Sequence, residues 1–463
     1  MTASPPITTT TPAPSLSSLH AAVRNWTDHV PQNLPYVDLM FAFAHATIGE
    51  QLRAVEMLED ARKVMLGPVP APYPAQASFE EVSTAASRNL LFKAFQHRIN
   101  QALAGKPHTG PLSAEVFADL DEIVKKGQSG GTNNPYLRAD YVIARMREQS
   151  RILEPTERVD YYAYWTKNPD PLKKALQDLH AIPESAKLAE RIRELHRNGV
   201  TGKPRPEDPF LVLHEALPLA SRVGPAFAAE LLQLVPTALQ PGTPTSTSEP
   251  PELPRKQGEL LARAFSLAAN CGCRTEAAKL VDSFLALARG KTEPTRFNFI
   301  NVVARHCFGS LLTLGLNAER DRAITEIQKA AEAITPATTP EIRATMLQAQ
   351  LHVASGLLQV GRRELASPIL AAARHELLDP DAVTIPAREF TALGQTYLTA
   401  LGETTRETCL PSMIELFREM NPRKITNTWT TAHYFSRFHL SLVEDAVFAA
   451  CRLEADQPVI VQA

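Results

Sequence analysis

Cysteine is scarce in this chain: five in 463 residues, an odd number and too few for a disulfide framework. Long apolar runs are missing as well. No window approaches about 18 uninterrupted apolar residues, so no membrane span is expected. Charge of one sign is not in excess. A formal net charge of −2 supplies no field toward nucleic acid or anionic lipid, and neither is an expected partner. Strand-like alternation is almost absent, its nearest instance being the closing QPVIVQA. The opening MTASPPITTTTPAPS lacks the basic and apolar regions of a signal peptide, so it reads as a disordered Thr/Pro-rich tail over residues 1–13 and the expected compartment is the cytoplasm. Arginine exceeds lysine and alanine is abundant, which hints at a GC-rich bacterial genome.

What is present is helical. Apolar residues make up 44% and charged residues 21%, the range of globular proteins. YVDLMFAFAHATI, QLRAVEMLEDARKVML and SFEEVSTAASRNLLFKAFQHRINQAL carry apolar residues at three- and four-residue spacing. Breakers fall between such segments, at Gly67–Ala75, Gly105–Pro111 and Gly127–Pro135. The strongest is QPGTPTSTSEPPELP, which sets a linker at 239–254 between a helical domain over 14–238 and a second over 255–463. The expected class is all-α.

In the second half four segments share one plan, an apolar helix, a turn with glycine, and an amphipathic helix. Their turn glycines Gly272, Gly315, Gly361 and Gly402 recur at intervals of 43, 46 and 41 residues. Gly272 precedes Ala277 by five residues and Gly361 precedes Ala366 likewise; Gly49 with Ala54 and Gly224 with Ala229 repeat that spacing earlier. In these features the chain resembles the tetratricopeptide family of helix-turn-helix repeats. The resemblance implies an α-solenoid of hairpins in a right-handed superhelix, with a more distant helical repeat as the alternative. The sequence departs from the pattern in three ways. Gly315 meets Ala323 only after a one-turn insertion, Gly402 has no matching alanine, and the units exceed the family's roughly 34 residues. The resemblance does not extend over 113–210. Thr431–Cys451, with Phe435, Phe438, Leu442, Ala446 and Ala450 at helical spacing, suits a terminal helix docked on the last repeat.

Motifs that carry chemistry break down on inspection. HEALP at His214–Pro218 and HELLD at His375–Asp379 lack the second histidine of a zinc-protease helix. GKT at Gly290–Thr292 has Leu285 where a phosphate-binding loop needs glycine. Asp119, Asp121 and Glu122 read as the first turn of a helix. Cys271 and Cys273 in NCGCRTEAAKL leave one residue between them, where structural zinc pairs leave two or more, so packing at a hairpin corner is expected rather than a site with His306 and Cys307. His433, His439, Glu444 and Asp445 sit on a helix whose apolar face already explains it. Neither a cofactor nor a metal is expected, and no catalytic set emerges.

Binding surfaces remain. In RFNFINVVARHCFGSLL, Phe297, Ile300, Ala304, Phe308 and Leu311 form an apolar stripe, and Asn298, Asn301 and Arg305 line up beside it. The tetratricopeptide resemblance implies that the first helix of each hairpin lines a concave groove, in which these three would contact a partner and Arg343, Gln350 and Arg388 would extend the strip. The aromatic run DYYAYW at Asp160–Trp165 reads as a core anchor. The expected function is non-enzymatic, a scaffold or adaptor holding a protein or peptide. The competing classes are an all-α enzyme or regulatory subunit with a pocket between the halves, and, against the net charge, a nucleic-acid-binding solenoid.

Overall fold

The computed structural model describes residues 14–28, 33–66, 79–106, 171–202, 208–239, 253–293, 295–334, 338–379, 385–421 and 432–455. The expectations for 1–13, Gly67–Ala75, Asp119–Glu122, Gly127–Pro135, Asp160–Trp165 and 456–463 lie outside the described residues, as do the side chains of 432–439. Among the described residues every regular element is helical. The helices are α1 (Leu16–Thr27), α2 (Leu34–Thr47), α3 (Gln51–Met65), α4 (Phe79–Leu103), α5 (Pro171–Asp178), α6 (Ser185–Asn198), α7 (Asp208–Ala220) and α8 (Pro225–Ala238). They continue with α9 (Leu253–Cys271), α10 (Arg274–Gly290), α11 (Thr295–Thr313), α12 (Asn317–Glu332), α13 (Pro340–Gln359), α14 (Arg363–Leu378), α15 (Ala387–Leu401), α16 (Arg406–Glu419) and α17 (Ala432–Ala455). The chain is all-α, as its periodicity implies. No described helix is long and apolar enough to cross a membrane.

Contacts divide the chain into two compact units. One comprises Met1–Val159, Leu377–Val383 and Leu401–Ala463, the other Asp160–Glu376 and Thr384–Ala400. This is a different division from the halves drawn at 239–254. Residues 240–252 of the expected linker lie outside the described residues; the helices on either side of them, α8 and α9, are in contact, and Gln257 Nε2 donates to the Leu239 carbonyl at 3.1 Å. One buried core then runs without a break from Leu172 to Ala366.

The first unit joins the two ends of the described chain. Helix α1 packs on α2 and α16, while α2 packs on α3, α4 and α17. Trp26 meets Phe417 edge-on, with ring centroids 5.2 Å apart. Helix α2 is apolar around its circumference and buried around it too, from Val37 to Ala46. The last helix packs on α16, the second helix of the last hairpin, as expected, and on α2 as well. Its face of Leu442, Val443, Ala446 and Val447 is buried, and the helix lies on α2 and α16.

The second unit holds helix pairs in two layers. First helices α7, α9, α11 and α13 pack side by side in chain order; second helices α8, α10 and α12 do the same. Second-layer neighbours are tied by Arg322–Asp282 at 2.7 Å and Arg289–Glu326 at 2.9 Å, and Arg193 of α6 grips Glu230 of α8 through two bonds at 2.8 and 2.6 Å. Helix packing in this unit thus begins with α5 and α6, both of which contact α7, inside the region where the repeat pattern fades from the sequence. In the first layer glycine sets the spacing. A Cβ on Gly356 of α13 would stand 3.0 Å from Phe308 Cβ of α11, and one on Gly258 of α9 would stand 3.1 Å from Val302.

The turns explain the recurring glycines. Gly272, Gly315 and Gly361 have φ of 70°, 65° and 77°, a region where a Cβ is strained. In each, the residue after glycine donates its N–H to a carbonyl five residues back at 2.9 Å, closing the helix end. Ala277 and Ala366 are fully buried five residues on, as expected. Two expectations are corrected. Gly315 is followed by no insertion: α12 begins at Asn317, and Arg320 occupies the fifth position, buried, with its guanidinium on Asp321. After Gly224 the fully buried residue is Ala228, while Ala229 is half-buried. Gly402 lies in the turn between α15 and α16 as expected, without a left-handed φ.

Candidate functional site

The residues singled out for partner contact lie on α11, α13 and α15, all first helices of the second unit. Asn298 and Arg305 are exposed on α11, and Arg388 is exposed near the start of α15. Among the described residues none of these three makes a hydrogen bond or ion pair, and neither does Gln350, partly buried on α13. Asn301 is engaged: its Nδ2 donates to Gln348 Oε1 of α13 at 3.0 Å, and its Oδ1 is buried without a partner. Arg343 departs from the expected strip. It donates to the Thr338 carbonyl at 3.0 Å and lies 3.7 Å from Glu376 of α14, so it serves its own hairpin.

The register between first helices brings in residues that the sequence did not single out. Asn301 touches Gln348, and Phe308 touches Gly356, so α11 and α13 run parallel with an offset of 47 to 48 residues. One helical turn beyond the Asn301–Gln348 pair stand Arg305 and His352. His306 adjoins them, its Nδ1 3.4 Å from Ser266 Oγ of α9. Burial, and then Arg305 and His306, push the His352 imidazole down to about 3. Desolvation, followed by Arg305, holds His306 below the ordinary histidine range. His352 has no hydrogen-bond partner among the described residues.

Toward α7 the same layer is electrostatically closed. His214 Nδ1 lies 2.8 Å from Glu215 Oε1, Arg263 of α9 donates to the His214 carbonyl and lies 3.4 Å from Glu215, and Glu259 is bound by Arg255 at 2.8 Å. The His214 bond and then Arg263 keep the Glu215 carboxyl below the usual carboxylate range, against the opposing pull of burial. Every charge there has an opposite neighbour. Among the described residues Arg305 makes no ion pair.

The imbalance holds for the layer as a whole. Helices α7, α9, α11, α13 and α15 carry seven Lys or Arg against five Asp or Glu, and α11 carries no acid at all. The second helices α10, α12 and α14 carry eight of each. A near-neutral sequence thus conceals a layer whose surplus is positive, with free amides and an unpaired guanidinium on it.

The cysteines and the remaining histidine clusters form no competing centre. Cys273 is buried with Sγ 3.8 Å from the Pro225 carbonyl, Cys271 is half-buried, and all five cysteines are free thiols. Burial pushes the Cys307 thiol upward and the Cys409 thiol to about 12, so neither is a thiolate at neutral pH. Among the described residues no group of three or more His, Cys, Asp or Glu side chains is placed to hold a metal. In the first unit, Asp38 of α2 accepts from Arg24 at 2.8 and 2.7 Å and lies 2.9 Å from His20 Nε2, which ties α1 to α2. His45, fully buried, lies 2.6 Å from Glu50 across the turn into α3.

No curated protein and no solved structure matches the chain. One family model does, described as a domain of unknown function, DUF8586, over residues 32–455. That span runs from just before α2 to the last residue of α17, covering the whole second unit and all described helices of the first except α1. The chain therefore belongs to the DUF8586 family.

Proposed function

We propose that this protein is a non-enzymatic scaffold or adaptor that holds a partner protein or peptide along the first-helix layer of its second unit. In this reading the paired helices form a tetratricopeptide-like right-handed superhelix whose inner wall is α9, α11, α13 and α15. The repeated left-handed glycine turns, the buried Ala277 and Ala366, and the parallel stacking of first on first and second on second helices support that architecture. The observation that carries the binding role is the set of free polar side chains on one layer, Asn298, Arg305, Gln350 and Arg388, within a local excess of positive charge. A solenoid recognises partners through such extended surfaces rather than enclosed pockets. An acidic or amide-rich partner segment satisfies both features. The free thiols fit a reducing compartment such as the cytoplasm.

The test is affinity capture with the wild-type chain against an Asn298→Ala/Asn301→Ala/Arg305→Ala variant whose melting temperature has been checked. Loss of one specific partner from the variant is the expected result. An unchanged set of captured proteins refutes the assignment of the first-helix layer.

A further inference from the structure

We propose that Arg305, His306 and His352 form a seat for a phosphoryl group carried by the partner segment, an inference that rests on the first-helix layer being the docking face. Three observations lead there. First, the seat offers donors and no competing acceptor charge. Arg305 presents a guanidinium fork with no ion pair, His306 and His352 present ring nitrogens, and no carboxylate acts on either histidine. Second, the three groups are placed by bonds one turn away rather than by one another. Asn301 Nδ2 to Gln348 Oε1 at 3.0 Å locks α11 to α13, and Ser266 at 3.4 Å from His306 relates α9 to α11. Third, Asn298 lies exposed seven residues before Arg305, two helical turns along the same helix, where its free amide is positioned to accept and donate to an extended backbone.

Charge selects the phosphoryl group over a carboxylate. Arg305 alone balances one negative charge. Burial and then Arg305 oppose protonation of both imidazoles, and His306 adds to this at His352. A carboxylate would leave them neutral. A phosphoryl group carrying nearly two negative charges at neutral pH compensates Arg305 and makes a proton on one imidazole favourable, and its three oxygens match three donors. Binding is therefore coupled to proton uptake. The charged groups facing His352 are Arg305 and His306, both on α11.

The experiment is calorimetric titration of the full-length protein at pH 7 in two buffers of different ionisation enthalpy. The probes are inorganic phosphate, acetate, and a capped Ala-phosphoserine-Ala peptide. The expected result is that the phosphopeptide binds more tightly than inorganic phosphate, and acetate at least tenfold more weakly. Binding of the phosphate-bearing probes takes up protons. Arg305→Gln weakens both by about tenfold, and the double substitution His306→Gln/His352→Gln abolishes proton uptake while leaving part of the affinity. Acetate binding as tightly as phosphate assigns the seat to an acidic side chain and overturns the proposal. Inorganic phosphate binding more tightly than the peptide assigns it to free phosphate, with the same consequence. Phosphate binding that is undetectable, or indifferent to both substitutions, overturns it outright. A partner retained after phosphatase treatment, yet lost from the triple alanine variant, removes the seat and leaves the docking layer standing. A partner kept by the triple variant removes the layer itself.

Discussion

Two glycine-to-alanine substitutions in adjacent first helices should move stability in opposite directions. Gly309 lies in the interior of α11 with nothing within 4 Å of where a Cβ would sit. Alanine there gains only helix propensity, about 0.5–1 kcal/mol. Gly356 lies in the interior of α13, and its added Cβ would stand 3.0 Å from Phe308 Cβ and 3.5 Å from Phe308 Cγ. The nearest atom is the root of a buried ring, not the far end of a flexible chain. To relieve the contact, α13 must shift from α11 and with it the Asn301–Gln348 bond. Overpacking of this kind costs about 1–3 kcal/mol. The same propensity gain of about 1 kcal/mol offsets part of it. The net expectation is a loss of up to about 2 kcal/mol for Gly356→Ala, against a gain of about 0.5–1 kcal/mol for Gly309→Ala. In a domain of 150–250 residues each kcal/mol moves the melting temperature by about 2–4 °C, so differential scanning fluorimetry resolves the pair. Gly356→Ala melting at or above wild type would refute the close approach of α11 and α13. Gly309→Ala melting below wild type would show that α11 is buried on a face the structure leaves open.

Further outcomes follow from the same contacts. Glu326→Ala removes a buried carboxylate held at 2.9 Å by both Arg289 and Arg296, leaving Arg296 unpaired, and should cost about 2–3 kcal/mol by urea midpoint. His352 has a folded-state pKa depressed to about 3 from the ordinary 6.5. The unfolded chain therefore binds the proton first, and stability falls as pH drops from 6.5 toward 3. His352→Gln should flatten the change in urea midpoint between pH 7 and pH 5, by at most about 2 kcal/mol. Under native conditions a thiol reagent should modify half-buried Cys271 first and leave Cys307 and Cys409 unreacted until the protein unfolds; rapid modification of all five would contradict their burial.

The turns of the second unit are readable from sequence because they depend on a local property. A left-handed residue closing a helix calls for glycine, and Gly272, Gly315 and Gly361 stand where that need arises. The buried small residue five positions on is readable only while the slot keeps a small residue. At Arg320 a long side chain buries its stem in the slot and carries its charge to Asp321, so the local rule hides the true start of α12. The binding strip is half readable. Asn298, Asn301 and Arg305 share one helix, and a period of 3.6 finds them. His352 belongs with Arg305 only through a register of 47 residues, whereas α9 and α11 meet with an offset of 40 at Ser266 and His306. An offset that changes from pair to pair is set by the packing of Phe308 on Gly356, which no periodicity carries. Arg343 misleads for the same reason, since Glu376 on the neighbouring helix decides its direction.

The contact between Trp26 and Phe417 has a consequence in time. The second unit is nearly contiguous in the chain, so its helices meet their partners as they are synthesised. Helices α1 to α4 pack on one another early, but α1 and α2 must wait for part of their packing, because α16 and α17 are made much later. At about 5–20 residues per second the wait lasts tens of seconds. Throughout it, the face of α2 that meets α17 stays uncovered, while α1, α3 and α4 already pack on the rest of that helix. Part of an all-round apolar helix is therefore open to solvent, and to chaperones, until α17 has been made.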